Sequence, residues 1–341
     1  MLAKGIVGVD KNKIEFREVE IGEAGDWDLV VELEASAISV GTEAYCLSIM
    51  DPANRPKYVS GYAPVGRVVQ AGREARSLFR EGSRVTYFAP RPPAPGSQVC
   101  QICGGHISPA IIGVNPRERD LLGPDSYCVT VPEALSSERA AFAGISAVSY
   151  LGVDMCRPNP GDKVVVLGQG IIGLYATQHF ALRGAEVLAA DSYAARLAVA
   201  RACGADHVVD VSKEKLAQAV LEHWPGGADI VADTTGSYLA IEDSIPAVRR
   251  FGKYLFLGWC KGPGFNLERL QGTRVFEAFF PWTLQGRFVV ASMKLMAMGA
   301  LQAEPLISHR FEPGRAAEVY DFVRTAREKY VGILLDWRRR Q

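Results

Sequence analysis

The 341-residue chain has no surplus of charge of either sign: 38 Lys and Arg stand against 38 Asp and Glu. A nucleic acid or an anionic membrane attracts a basic surplus, so neither is an expected partner. No apolar run reaches the length of a membrane span. The start, MLAKGIVGVDKNKIEF, lacks the apolar core of a signal peptide. Cysteine is sparse, odd in number at seven, and irregularly spaced. That excludes a disulfide framework and points to free thiols in a reducing compartment, with the cytoplasm as the expected location. There is no internal repeat and no low-complexity segment.

What is present is an ordinary globular composition, 48% hydrophobic and 22% charged. The length suffices for two domains with cores of their own. One stretch organises the rest: Lys163 to Asp191, KVVVLGQGIIGLYATQHFALRGAEVLAAD. A β-branched run of strand length leads into Gly168, Gly170 and Gly173, which fit G-x-G-x-x-G. A helical pattern follows, then a second apolar run ending in an acid. Strand before, helix after and an acid about 20 positions on make this a dinucleotide-binding fingerprint. Gly168 serves the tight turn, Gly170 leaves room for a pyrophosphate, and Gly173 lets the helix approach the sheet. The first helical N–H groups, from Ile171 on, have no intrahelical partner and favour an anion. Asp191 suits the two hydroxyls of an adenosine ribose and repels a 2′-phosphate, which favours NAD(H) over NADP(H).

Before this stretch the chain reads as all-β. Strands are predicted over Lys13–Val19, Asp28–Ala35, Ala63–Val69, Arg84–Phe88 and Asp125–Val131. A long proline-bearing loop runs from Pro90 to about residue 123. Glu138–Val153 reads as a helix and PNPGD (158–162) as a boundary. After it, strands and helices alternate: strands over Glu186–Asp191, His207–Val209, Asp229–Asp233 and Lys253–Leu257, helices over Ala194–Cys203, Lys213–Trp224 (with Ser212 as N-cap) and Tyr238–Arg249. Alternation implies parallel strands with crossover helices, and a ligand site beyond the strand carboxyl ends. Thr234, Thr235, Gly258 and Trp259 join the glycines and Asp191 on that edge. Arg196 is placed to flank adenine, or else is a surface arginine of its helix. Farther on, Arg287–Ala291 reads as a last strand pairing with a second subunit, so a homodimer is expected. Ser292–Met298 and Arg315–Arg327 read as helices and Val331–Trp337 as a closing strand. The aromatic residues Trp259, Phe276, Phe279, Phe280 and Trp282 line a pocket or pack in a core or interface.

The order of these pieces, with EGSRV (81–85), GDKVVVLGQGIIG (161–173), ARACGADHVVD (200–210) and ISHRF (307–311), resembles the medium-chain dehydrogenase/reductase superfamily. The resemblance implies an α/β fold: a GroES-like β-barrel domain over 1–150 and 292–341, and a Rossmann doubly wound parallel-sheet domain over 151–291. Zinc-dependent members bind catalytic zinc through a cysteine, a histidine and often a second cysteine. Here Val40, Tyr62 and Phe142 stand at those positions, and valine and phenylalanine cannot ligate a metal. Catalytic zinc is therefore not expected. The G-T-E at 41–43 and the ending ILLDW (333–337) resemble a zinc-free branch that includes 3-hydroxyethyl bacteriochlorophyllide a dehydrogenase.

The resemblance implies a hydride transfer between a nicotinamide cofactor and a small-molecule secondary alcohol or ketone. Without zinc, hydroxyl groups must hold the reacting oxygen. Thr42 stands where zinc relatives carry the hydroxyl of a proton relay, Glu43 is a candidate general base, and Tyr62 a hydrogen-bond donor. Each has a plainer reading: Thr42 as helix cap, Glu43 as first-turn acid or partner of Arg67, Tyr62 as packing. Cys100, Cys103 and His106, spaced C-x-x-C-x-x-H, are half of a structural-zinc lobe or the relic of one. Two other functions remain open: a zinc-free NADPH-dependent enoyl or quinone reductase, against which Asp191 counts, and an NADH-binding protein without turnover.

Overall fold

The computed structural model describes residues 1–51, 53, 56–101, 103–118, 126–259, 276–281 and 286–338. Two compact units emerge. One comprises Met1–Gly144, Leu284–Gly299 and Ile307–Gln341; the other comprises Ile145–Thr283 and Ala300–Leu306. The expected boundary at 150 and return at 292 thus shift to 144 and 284, and seven residues of the return belong to the second unit. No described helix is long and apolar enough to cross a membrane.

The first unit holds two sheets. Leu2–Asp10 and Lys13–Glu20 form a hairpin, closed by Asp10↔Lys13 around a two-residue turn. Asn12 takes the left-handed conformation that this tight turn needs, at φ +57°. The larger sheet is built on Asp28–Ile38, which pairs with Ala63–Ala71 on one side and with the C-terminal strand Gly332–Asp336 on the other. The register sets Ser36 opposite Leu335. Residues about 300 apart in sequence thereby meet, and the Trp337 amide donates to the Glu34 carbonyl at 3.1 Å. Ile6, Leu29, Val31, Val85, Ile112, Val319 and Leu335 fill one continuous core.

The second unit is a six-stranded parallel sheet. Its order is His207–Asp210, Glu186–Asp191, Lys163–Leu167, Ala228–Asp233, Val248–Phe256, Phe276–Phe279. The strand order reverses between Lys163–Leu167 and Ala228–Asp233, the place where doubly wound sheets open a crevice for a ligand. Small and β-branched residues bury both faces of these strands, as the apolar runs required.

Several expectations need correction. Arg287–Ala291 is not a strand: it lies in the helix Gly286–Ala297, which buries Phe288, Val289, Ser292, Met293 and Met296 at helical spacing. The edge strand is instead Phe276–Phe279. Ser212 caps no helix; its hydroxyl donates to Asp210 at 2.5 Å and the helix begins at Leu216. The helix expected over Glu138–Val153 is two, Ser137–Ala141 and Ala143–Cys156, parted at the fully buried Phe142. The loop after Pro90 contains short strands at Val99–Gln101, Ile107–Ser108 and Ala110–Gly113. Phe276 and Phe279 pack on the cores of the parallel sheet, and Trp282 lies outside the described residues.

Candidate functional site

In the second unit the glycine fingerprint takes the geometry its sequence requires. Gly168 has φ +88°, which turns the chain sharply out of its strand. A Cβ on Gly173 would stand 1.8 Å from the Gly168 carbonyl oxygen, so only glycine fits the helix this close to the loop. A Cβ on Gly170 would meet nothing within 4 Å; the space beside it is open. Gly170 is the N-cap of the helix Ile171–Ala181, so the N–H groups beginning at Ile171 are oriented for an anion.

Asp191 ends its strand buried, at 6% exposure. One carboxylate oxygen accepts the Gln169 N–H at 2.6 Å and the other the Tyr193 N–H at 2.9 Å. Each oxygen keeps acceptor capacity for a ribose hydroxyl. The Arg196 guanidinium lies 3.8 Å from Asp191 and 4.9 Å from the Tyr193 ring centre, beside the acid rather than out on the surface. Thr234 is turned inward: its hydroxyl donates to the carbonyls of Gly168 and Leu167, at 2.8 and 3.1 Å, and so ties the glycine turn to the next strand. Thr235 donates to Asp233 at 2.6 Å. Asp233 is fully buried, and burial pushes its carboxyl above the usual range despite the bonds from Thr235 and Gly236. Gly258 packs against that turn, where a Cβ would stand 2.2 Å from the Gly236 nitrogen. Trp259 follows, half exposed. The residues expected to hold a dinucleotide therefore share the carboxyl edge of one sheet, and they fit one.

In the first unit the helix Val40–Ser48 starts directly after the strand Asp28–Ile38, with Ser39 as N-cap. Thr42 is thus in the first turn and is not the cap. Ser39 leaves its own helix uncapped; instead the Glu43 carboxylate reaches back and accepts the Ser39 N–H at 2.7 Å. This is the acid's half of a capping box, moved one residue along. It frees the Ser39 hydroxyl, which meets the Tyr62 hydroxyl at 2.7 Å. Thr42 stands near the same phenol. Tyr62 is buried, and burial, above all, raises its pKa well beyond the usual phenol range; the Glu43 and Cys103 charges add to this, while the Ser39 bond opposes it. Tyr127, also buried, neighbours Tyr62.

Glu43 is 4% exposed and fully engaged. Besides Ser39 it receives Tyr320 O–H and faces His106 Nε2 at 3.2 Å. It does not pair with Arg67, whose guanidinium binds Glu34 at 2.8 Å and the Gly82 carbonyl. His106 enters this core because Gly61, at φ +81°, has no side chain: a Cβ there would stand 2.4 Å from the imidazole. Its other nitrogen, Nδ1, is 2.9 Å from Ser36 Oγ. Spacing pointed to none of Ser36, Ser39, Tyr320 or Trp337.

The half-lobe Cys100, Cys103 and His106 does not gather as a ligand set. Both imidazole nitrogens have partners, Cys100 sits in a strand opposite Tyr58, and burial pushes the Cys103 thiol up to about 12. Among the described residues no group of three or more His, Cys, Asp or Glu could hold a metal ion. A catalytic zinc of the usual kind also finds no ligands at the three family positions. Val40 and Phe142 offer no donor atom, and the Tyr62 phenol is engaged by the Ser39 hydroxyl. A cavity of about 490 Å³ in this unit, lined by Lys4, Phe16, Pro109, Arg315 and Trp337 among others, touches none of Thr42, Glu43 or Tyr62.

A family model described as zinc-binding dehydrogenase matches residues 172–296. L-threonine 3-dehydrogenase of Rhizobium etli (strain CIAT 652) is 27% identical over 353 residues, covering 94% of each chain. Among solved structures, one from Sinorhizobium meliloti 1021, described as a zinc-binding dehydrogenase and bound to NADP, is 23% identical. It has a TM-score of 0.79 and covers 99% of this chain and 100% of that one. An alcohol dehydrogenase (rspB) of Escherichia coli CFT073 in complex with NADH is 18% identical, with a TM-score of 0.81 and coverage of 98% and 99%. One neighbour thus carries each nicotinamide dinucleotide on the same fold. A β domain ahead of a glycine-fingerprinted parallel sheet, with a C-terminal return to the first unit, gives the chain the fold of these dehydrogenases.

Proposed function

We propose that this protein is an NAD(H)-dependent oxidoreductase that interconverts a secondary alcohol and a ketone without catalytic zinc, acting on a hydroxylated biosynthetic intermediate. The observation that carries the reading is the Tyr62 hydroxyl, bonded to Ser39 with Thr42 nearby, at the position where zinc relatives present a ligand. Dehydrogenase relatives over nearly the whole chain support the reaction class. The Asp191 carboxylate at the end of the second parallel strand supports NAD(H), since a 2′-phosphate beside it meets a like charge.

When bound, the nicotinamide supplies or takes the hydride. The protein's task is then to hold the oxygen and manage its proton. In this reading the neutral Tyr62 phenol and the Thr42 hydroxyl hydrogen-bond the reacting oxygen. On that reading Ser39 O–H is the donor of its bond to the Tyr62 oxygen, which leaves the phenolic proton for the substrate. Glu43, considered from sequence as a general base, has its carboxylate filled by Ser39, Tyr320 and His106. The proton therefore travels by the two hydroxyls and water. A homodimer belongs to the same reading: among the described residues the strand Phe276–Phe279 has a neighbour on one side only.

The test begins with fluorescence titration of NADH and NADPH, followed by a panel of secondary alcohols and ketones read at the nicotinamide absorbance band. Thr42→Ala and Tyr62→Phe are expected to lower turnover at least 10-fold, about 1.4 kcal/mol of barrier, while NADH binding persists. Wild-type rates in both variants would rule out the oxygen-holding pair. Tight NADPH binding with reduction of an alkene would replace the reading with the enoyl or quinone reductase. NADH binding without turnover across the panel would favour a sensor.

A further inference from the structure

Six buried polar groups in the first unit form a directed chain whose sense can be read from one end. Trp337 Nε1–H can only donate, and it donates to Ser36 Oγ at 2.8 Å. The Ser36 proton is then left for His106 Nδ1, 2.9 Å away. An Nδ1 that accepts leaves the imidazole proton on Nε2, where it faces Glu43 Oε2 at 3.2 Å. A second branch arrives from Ser60, whose hydroxyl lies 3.1 Å from that of Tyr320; Tyr320 donates in turn to the same Glu43 oxygen. The remaining Glu43 oxygen takes the Ser39 N–H. The Trp337–Ser36–His106 arm and the Tyr320 hydroxyl thus direct their protons towards Glu43, and from Glu43 the contacts lead through Ser39 to Tyr62. The strand register that sets Ser36 opposite Leu335 brings Trp337 to the start of the chain.

We propose that His106 is a positioning residue for the reaction. Trp337, acting through Ser36, fixes its proton on Nε2, so that Glu43 stays turned onto Ser39 and holds Ser39 against the Tyr62 hydroxyl, with Thr42 in the same helical turn. The inference rests on the reading of Thr42 and Tyr62 as the oxygen-holding pair. His106 touches neither cofactor nor substrate in it. The opposite tautomer, with the proton on Nδ1, leaves Nε2 as a lone pair against a carboxylate and pushes the Glu43 side chain off. The first turn of the helix Val40–Ser48 then loses the bond that sets Ser39 and Thr42.

The experiment uses the full chain labelled with ¹⁵N-histidine, the His106 signals being identified by their loss in His106→Gln. In the wild type a protonated Nε2 and a bare Nδ1 are expected. Trp337→Phe keeps an aromatic ring beside Phe16, which the indole meets edge-on at 6.0 Å, and removes the N–H together with part of the ring volume. It is expected to mix the tautomers and to lower kcat roughly 5–10-fold, with the NADH dissociation constant unchanged; that loss corresponds to about 1–1.4 kcal/mol. Ser36→Ala should do the same if the tryptophan variant folds poorly. His106→Gln, which retains a donor towards Glu43, should keep more turnover than His106→Met. A proton on Nδ1 in the wild type overturns the inference, as does a wild-type kcat in both Trp337→Phe and Ser36→Ala. Failure of the underlying reading shows itself elsewhere: Thr42→Ala and Tyr62→Phe then turn over normally, whatever the nitrogen spectrum shows.

Discussion

Gly173 stands against Gly168 with no room for a side-chain carbon: a Cβ on Gly173 would lie 1.8 Å from the Gly168 carbonyl oxygen and 3.0 Å from Thr234 Oγ1. The obstacle is backbone, already held by the Thr234 hydroxyl at 2.8 Å, so it cannot rotate away. Gly173→Ala is therefore expected to destabilise the protein by about 2–3 kcal/mol, the upper part of the usual overpacking range, read by urea unfolding. Gly170 offers the contrast, since a Cβ there meets no protein atom. Gly170→Ala should unfold like the wild type and yet bind NADH at least 10-fold more weakly, because the added methyl occupies space left for the pyrophosphate. Equal NADH affinity in Gly170→Ala would mean that the pyrophosphate lies elsewhere.

Asp191 has two tasks that one substitution separates. Its carboxylate accepts backbone N–H groups on both sides, from Gln169 and Tyr193. An asparagine must turn its amide towards one of them and lose that bond, a cost of about 1–3 kcal/mol for the group left unpaired. It also removes the charge that opposes a 2′-phosphate. Asp191→Asn is expected to weaken NADH binding and to narrow the gap between NADH and NADPH at least 10-fold, with Arg196 already beside the vacated charge. Titration of both nucleotides checks this; an unchanged ratio would show that Asp191 does not set the preference.

The cofactor half of the site was legible because its constraints are local. A glycine fingerprint needs its strand, turn and helix within about 30 residues, and the strands Lys163–Leu167 and Glu186–Asp191 have the bounds the apolar runs predicted. The catalytic half was legible only where the chain departs from a pattern, at Val40, Tyr62 and Phe142. Its supports were not. Glu43 is held from residues 39, 106 and 320, and the chain to it starts at residue 337. No window on the sequence contains those distances; strand register creates them. The helix at Gly286–Ala297 was misread for a related reason. Phe288, Val289 and Val290 form an apolar run of strand character, and the helical period shows only when Met293 and Met296 are counted with them.

His179 couples the stability of the second unit to pH. It lies fully buried in the helix Ile171–Ala181, with Nε2 2.9 Å from Ser146 Oγ and its ring 4.6 Å from that of Tyr150. Burial, and then the Arg183 charge, drive its pKa down to about 3 from 6.5, against a smaller opposing effect of the hydrogen bond to Ser146. The sign follows from which state takes up the proton. Below pH 6.5 the unfolded chain binds a proton that the folded chain refuses until about pH 3. The stability associated with neutral His179 is therefore complete above 6.5 and is lost steadily as pH falls towards 3. Between pH 6.5 and 5 the loss amounts to about 2 kcal/mol. His179→Gln carries no such proton. It is expected to be less stable than the wild type at pH 7.5, where it loses the packing of the imidazole, and to close most of that gap by pH 5. Urea unfolding of both proteins at the two pH values measures the difference; parallel losses would mean that His179 binds its proton as readily folded as unfolded.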